Sequence, residues 1–356
     1  MSRGDLDMKM TQDEMNERMK HYNVQGLSIA QMNNGNLSVV NGYGVLEAGF
    51  NEKVSSDTIF NSCSISKFAT ALLVLKLVEE GMLELDQDIN EILRSWKVPE
   101  NEFTRNKKVT LRNLLSHQSG VIDPEGSFSE YDATQGYPTM LDLLEGRTRY
   151  CHEPIEVKYE PESEFHYSDA GFCIIELLIE DVSGKAFKVL MNEKIFEPLH
   201  MRNSTLEHNI IEKRSSRLFA SGHHKDGKVV KGKYPIYPYL AAAGLWSTPT
   251  DLACLGIEVV HSLKGDGKLG ISAKMIKEMM TSQGCAQWAG LGIFLDNSGQ
   301  DLEISSLGWG VGFQSIIIFY PYLGTGAFIM TNSDLGVHQT KGLIGEIVNS
   351  LDLVSV

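Results

Sequence analysis

The chain has 356 residues, with 46 acidic against 32 basic side chains for a net charge of −14 and 42% hydrophobic residues. That composition fits a soluble globular protein of about two domains, or one large core with an inserted subdomain. The acidic balance repels nucleic-acid phosphate and anionic lipid, so neither a nucleic acid nor a membrane is an expected partner.

The segment Met8 to His21 has helical spacing of its methionines, and after Gln25-Gly26 the run Leu27 to Gln31 reads as a strand. Asn33-Asn34-Gly35 is hairpin turn chemistry, and Leu37 to Tyr43 returns as the second strand. Phe68 to Val78 is almost continuously apolar and too long for a strand, which predicts a helix buried nearly all round. Helical pieces follow at Asp88–Trp96, Leu111–His117, Met140–Gly146, Ala170–Ser183, Lys188–Phe196 and Thr250–Ser262, and a further one at Lys274–Met280. Short β-rich segments then return at Leu291–Leu295, Ser315–Tyr320 and Thr325–Thr331, and Gly342–Leu351 closes the chain as a helix. A sheet drawn from both chain ends with helices inserted between them is an α+β arrangement. Residues 1–60 and 261–356 would form the sheet lobe and 61–260 a mainly helical lobe, with a cleft between.

Five cysteines, Cys63, Cys151, Cys173, Cys254 and Cys285, are odd in number and lack any C-x-x-C pair, so neither a disulfide framework nor a zinc site is indicated. No cofactor is called for. Met1 to Tyr22 has no apolar signal core and no run of about 18 apolar residues occurs, so a cytoplasmic location is the expectation. The basic stretch Lys225 to Lys233 reads as a solvated hairpin. Gly222 to Lys228 spells G-x-x-x-x-G-K but continues with Val229 instead of a hydroxyl residue, so it is a glycine-rich turn and no phosphate loop. His223-His224 reads as part of a surface loop, since adjacent histidines point apart and rarely share a metal.

No G-x-S-x-G occurs. Ser64-Ile65-Ser66-Lys67, by contrast, stands at the start of the apolar helix, where residues i and i+3 share a face and the Lys67 amine can reach the Ser64 hydroxyl. Burial beside a helix N-terminus pushes such a lysine toward the neutral form that accepts a proton. The bland reading is a helix cap with an ordinary lysine. Tyr167-Ser168-Asp169 opens the helix after a polar loop; a tyrosine near a cationic lysine has its phenol pKa lowered and can relay protons, while the alternative is a packed tyrosine beside a capping residue. Ser306 to Ser315 is glycine-rich, either an edge strand that lets a ligand approach its backbone or simply a glycine-rich turn.

Together these segments resemble the serine β-lactamase and penicillin-binding protein superfamily, in particular the branch of class C β-lactamases, D-peptidases and family VIII-type esterases. Supporting stretches are Leu114 to Gly120, Glu197 to Met201, Gly244 to Thr248 and Met330 to Ser333. The resemblance implies the β-lactamase-like fold, with Ser64 as acylated nucleophile, Lys67 as its base and Tyr167 as second base or proton relay. It also implies an oxyanion hole made by the backbone N–H groups of Ser64 and Trp309. Asp169 stands where the family usually has Asn, which adds charge and favours a protonated lysine. Ser306-Leu307-Gly308 replaces Lys-Thr-Gly or His-x-Gly, so Ser306 offers only a neutral hydroxyl near Gly308 where the family binds a carboxylate. A serine hydrolase of a small ester, amide or D-amino-acid peptide is the expected function. A β-lactamase or D-Ala-D-Ala carboxypeptidase, with Arg214 or Arg217 holding the carboxylate, is the runner-up, and a non-catalytic scaffold is the alternative of another class. Cys63 beside the nucleophile reads as inert packing. A small molecule or short peptide is the expected partner, and the oligomeric state stays open.

Overall fold

The computed structural model describes residues 8–132, 134–208 and 218–354. Its frame is a six-stranded, wholly antiparallel sheet in the order β2-β1-β8-β7-β6-β5. Strands β1 (Gly26–Asn33) and β2 (Asn36–Gly44) come from the N-terminal part; β5 (Phe294–Asp296), β6 (Glu303–Gly310), β7 (Phe313–Tyr320) and β8 (Thr325–Thr331) come from the C-terminal part. Pairing of β1 with β8, in which Ile29 faces Ile329, joins the two ends of the chain. The β1–β2 turn places Asn34 and Gly35 at φ of 52° and 72°, the left-handed pair that a tight hairpin requires.

Strand alternation divides the core into two layers. On one face Leu27, Ile29, Ile316, Ile318, Ala327 and Ile329 pack with Met15 and Met19 of helix α1 (Gln12–His21) and with Leu343, Ile344 and Ile347 of the last helix, α11 (Leu343–Ser350). On the other face Ile317, Phe319 and Phe328 join the large core formed with the central helices. Helix α1 starts at a capping box in which Thr11 and Glu14 satisfy each other's backbone N–H, and Met8 instead bridges to Leu351.

Helix α2 (Ser66–Glu79) is the buried element that its apolar run predicts: Ser66 to Leu75 and Leu77 are all buried, and only Lys76, Val78 and Glu79 reach toward solvent. Around it stand α3 (Ile89–Ile92), α4 (Leu111–Leu115), α5 (Met140–Leu144), α6 (Asp169–Ser183), α7 (Phe187–Met191, continued by a π turn at Asn192–Phe196) and α8 (Leu240–Ala243). Helix α9 (Pro249–Lys264) lies on the sheet, where Gly256 meets Phe328; a Cβ there would stand 2.7 Å from the ring. Helix α10 is Ala273–Met279. Three elements differ from the sequence reading. The predicted helix Asp88–Trp96 shrinks to one turn, because Leu93 already adopts extended backbone. Strand β5 begins three residues later than the apolar run that announced it. The glycine-rich stretch after Glu303 is a true strand through Gly310, followed by the turn at Val311-Gly312. A separate two-stranded ladder, β3 (Phe60–Asn61) with β4 (Trp246–Ser247), was not legible from so few residues. No helix among the described residues is long and apolar enough to cross a membrane.

Candidate active site

Ser64 sits in a 3₁₀ turn, Cys63–Ile65, that leads directly into α2. The turn is sharp: Cys63 is held at φ 49°, a left-handed conformation that costs a non-glycine residue free energy. Its surroundings over-determine it. Asn61 Oδ1 accepts from the Cys63 N–H at 2.8 Å while Asn61 Nδ2 donates to the Pro235 carbonyl at 2.8 Å, and the buried Ser66 hydroxyl donates to the Cys63 carbonyl at 2.7 Å. The turn thereby presents Ser64 to a cleft of 380 Å³ whose lining includes Cys63, Ser64, Asp169, Tyr237 and Trp309. A wider groove of 610 Å³, between Gly81 and Lys97, contains no serine, cysteine or histidine.

Lys67, 3% exposed, reaches back to Ser64: its Nζ lies 3.2 Å from Ser64 Oγ, 2.5 Å from Asp169 Oδ1 and 3.0 Å from the Ala242 carbonyl. Burial lowers the Lys67 pKa, but the Asp169 charge and the neighbouring Tyr167 hydroxyl more than offset this, so the group stands above its ordinary 10.5. Of the two opposing effects expected on Lys67, the Asp169 charge prevails over burial, because the helix that supplies Asp169 brings a full carboxylate into contact. The expected lowering of the Tyr167 phenol is reversed. Packing around the phenol raises it above its usual 10, outweighing the Lys67 charge that pulls it down, while the residue as a whole stays 43% exposed. The Tyr167 ring stacks on His117 at 4.3 Å between centroids, and Lys67 Nζ lies 4.8 Å from its centroid.

Several supporting residues were not picked out as site residues by the sequence, although His117 lies in the Leu114 to Gly120 stretch. His117 accepts from the Ser168 N–H at 3.1 Å, and burial holds its pKa down near 3, which keeps the ring neutral where it stacks on Tyr167. Asp123 accepts from the Ser168 hydroxyl and from the N–H groups of Asp169 and Ala170, at 2.7, 2.8 and 2.9 Å, and so caps α6 and fixes the backbone that carries Asp169. Glu176, buried and pushed up to about 8, accepts from the Ala241 N–H at 2.9 Å and steadies the short helix whose Ala242 carbonyl receives Lys67.

Strand β6 closes the other wall. Strand β5 pairs only with Glu303 to Ser305, which leaves the rest of β6 free on the side of the Cys63–Ile65 turn. A Cβ on Gly308 would stand 2.3 Å from the Ser62 carbonyl oxygen and 2.2 Å from Ser315 Oγ, and one on Gly310 would stand 2.7 Å from Cys63 Sγ. Only glycine lets the strand come this close, which sets Trp309 beside Ser64 in the cleft. Ser306 lies on the same strand, 5% exposed, and does not line the cleft. Cys63 is buried and its thiol is pushed up by loss of solvent, as inert packing requires. Arg214 and Arg217 lie outside the described residues. His223 is no surface residue: it is fully buried, with Nδ1 2.7 Å from the Asn332 carbonyl and Nε2 accepting from the Ala48 N–H at 3.0 Å. Among the described residues no cluster of His, Cys, Asp and Glu could hold a metal ion.

The sequence profile of the Beta-lactamase family matches residues 11–346. The chain belongs to that family. Among curated relatives it is 27% identical over 227 residues to Protein flp of Staphylococcus aureus strain MRSA252, covering 64% of this chain and 42% of that protein. It is 29% identical over 187 residues to penicillin-binding protein 4 of Amycolatopsis lactamdurans, covering 52% and 46%. The match thus spans less than half the length of either relative. Among solved structures, the octameric penicillin-binding protein homologue of Pyrococcus abyssi superposes with a TM-score of 0.75 at 24% identity, covering 95% of this chain and 76% of that one. The D-amino acid amidase of Ochrobactrum anthropi SV3 superposes with a TM-score of 0.73 at 21% identity, covering 95% and 97%. At these identities the likeness establishes the fold.

Proposed function

We propose that this member of the Beta-lactamase family is a serine hydrolase that cleaves a small ester or an amide, such as a D-amino-acid derivative, through an acyl group carried on Ser64. The observation that carries the reading is the placement of the buried Lys67 amine 3.2 Å from Ser64 Oγ at the floor of an open cleft. Ser64 attacks the substrate carbonyl as its proton passes to Lys67 in the fraction of molecules where that amine is free. The carbonyl oxygen takes its negative charge between the N–H groups of Ser64 and Trp309. Tyr167, kept a phenol by its raised pKa, protonates the departing alcohol or amine and recovers a proton from Lys67. Water then attacks the acyl-enzyme by the same steps in reverse and regenerates the Ser64 hydroxyl.

The test compares wild type with Ser64→Ala on p-nitrophenyl acetate and follows intact mass after brief exposure to benzylpenicillin. Ester hydrolysis lost in Ser64→Ala supports the reading; equal rates of the two proteins would sink it and favour a scaffold that keeps only the fold. A penicillin adduct on the wild type alone would move the substrate toward β-lactams and cell-wall peptides.

A further inference from the structure

The cleft in front of Ser64 has an unusual charge. Its charged lining residues are Glu130, Asp169 and Asp334, and no described lysine, arginine or histidine lines it. Lys67 behind the floor compensates Asp169 at 2.5 Å, so two carboxylates remain facing the space that an acyl group would enter. Neither sits on a loose segment. Asp334 Oδ1 accepts from the Trp309 indole N–H and from the Gly336 N–H, each at 2.9 Å, which fixes the carboxylate against the cleft wall. Glu130 is clamped through its neighbours: the Ser129 carbonyl accepts from the Tyr239 hydroxyl, and the Tyr131 N–H donates to the Ile236 carbonyl at 2.7 Å. Among the described residues the Glu130 side chain has no hydrogen-bond or ion-pair partner. The negative field reaches the floor, where Asp169 and Asp334 both push the Cys63 thiol up and Glu130 and Asp169 both push the Tyr237 phenol up.

The remaining walls are aromatic: Phe128, Tyr237, Tyr239 and Trp309. Aromatic faces together with uncompensated carboxylates attract an ammonium group and repel a carboxylate, since ring quadrupole and charge act in the same direction. We propose that the cleft selects acyl donors bearing a free amine, namely amides or esters of an amino acid whose ammonium group sits between Glu130 and Asp334 against the Trp309 wall. This rests on the acyl-transfer reading of Ser64. It turns the pocket's selectivity opposite to that of a site built to hold a carboxylate: acyl donors ending in a negative group are excluded.

The full chain is assayed on three matched sets, in both enantiomers: alaninamide with its free amine, N-acetylalaninamide, and N-succinylalaninamide. Ammonia release is measured in each, and p-nitrophenyl acetate is run alongside with wild type and Ser64→Ala. The expected result is a kcat/KM for the free amine about tenfold or more above the acetylated amide, with the succinylated amide slowest. That ratio should shrink with added salt. It should also fall toward one in Glu130→Gln and Asp334→Asn, chiefly through KM; Asn at 334 still accepts from Trp309, so the wall is kept. Ser64-dependent ester hydrolysis with no preference for the free amine, or with preference for the succinylated amide, would overturn the amine assignment and leave the Ser64 chemistry standing. Absence of any Ser64-dependent turnover would overturn both.

Discussion

At the scale of single residues, the carboxylate of Asp169 sets the charge balance around Lys67. An asparagine facing Lys67 would leave burial free to lower the lysine's pKa; the carboxylate of Asp169, 2.5 Å from Nζ, raises it instead. Because attack by Ser64 draws on the deprotonated lysine, activity in the wild type should climb toward alkaline pH. Asp169→Asn removes the counter-charge and lowers the Lys67 pKa, so the rising limb of the kcat/KM profile should move down by about one to three pH units. A profile that stays in place in Asp169→Asn would show that a group other than Lys67 accepts the Ser64 proton. The presence of Ser64 and Lys67 at a three-residue spacing was readable in the sequence, and Asp169 already pointed to a protonated lysine; only the fold shows that the carboxylate, 102 positions away in the chain, touches Nζ and outweighs burial.

At the scale of elements, the close approach of β6 to the Cys63–Ile65 turn is what the proposed two-amide oxyanion hole requires. Gly308 is the residue that permits it, and a methyl group there meets backbone oxygen on one side and a hydroxyl on the other. Gly308→Ala should push β6 away from Ser62–Ser64, reduce kcat by about 10²- to 10³-fold and lower stability by about 1–3 kcal/mol. Ester turnover and thermal unfolding measured together check it. Wild-type kcat in the variant would mean that the strand does not carry the second amide. The glycine pattern made an approaching strand thinkable, yet only the register, with Gly308 opposite Ser315 and Gly310 opposite Phe313, fixes which residue stands beside Ser64.

At the scale of the whole molecule, the sheet is sewn from the two chain ends, and a polar tie reinforces the seam. Arg18 on α1 grips Glu346 on α11 through Nε and Nη2 at 2.7 and 2.5 Å, and the Tyr22 hydroxyl adds a third bond at 2.8 Å. Both charged groups are about one-third exposed, so solvent and salt screen the fork and its contribution is small. Glu346→Ala should therefore lower the unfolding midpoint by about 2 °C and leave p-nitrophenyl acetate hydrolysis at the wild-type rate. A loss of activity would show that the seam between chain ends is coupled to the cleft.

The sequence by itself determined the buried helix that follows Ser64, the hairpin with its Asn-Gly turn and the α+β arrangement, and it brought forward Ser64, Lys67 and Tyr167 as candidates. Each of these is written in local periodicity, turn chemistry or short spacing, which survive without knowledge of the rest of the chain. Tertiary structure alone decided the electrostatics. Asp123 capping α6, Glu176 steadying the Ala242 carbonyl, His117 serving as a neutral platform and Glu130 with Asp334 flanking the cleft all come from segments far apart in sequence. Charge and desolvation act through space, so the protonation state of a site is set by what folding brings within a few ångströms of it.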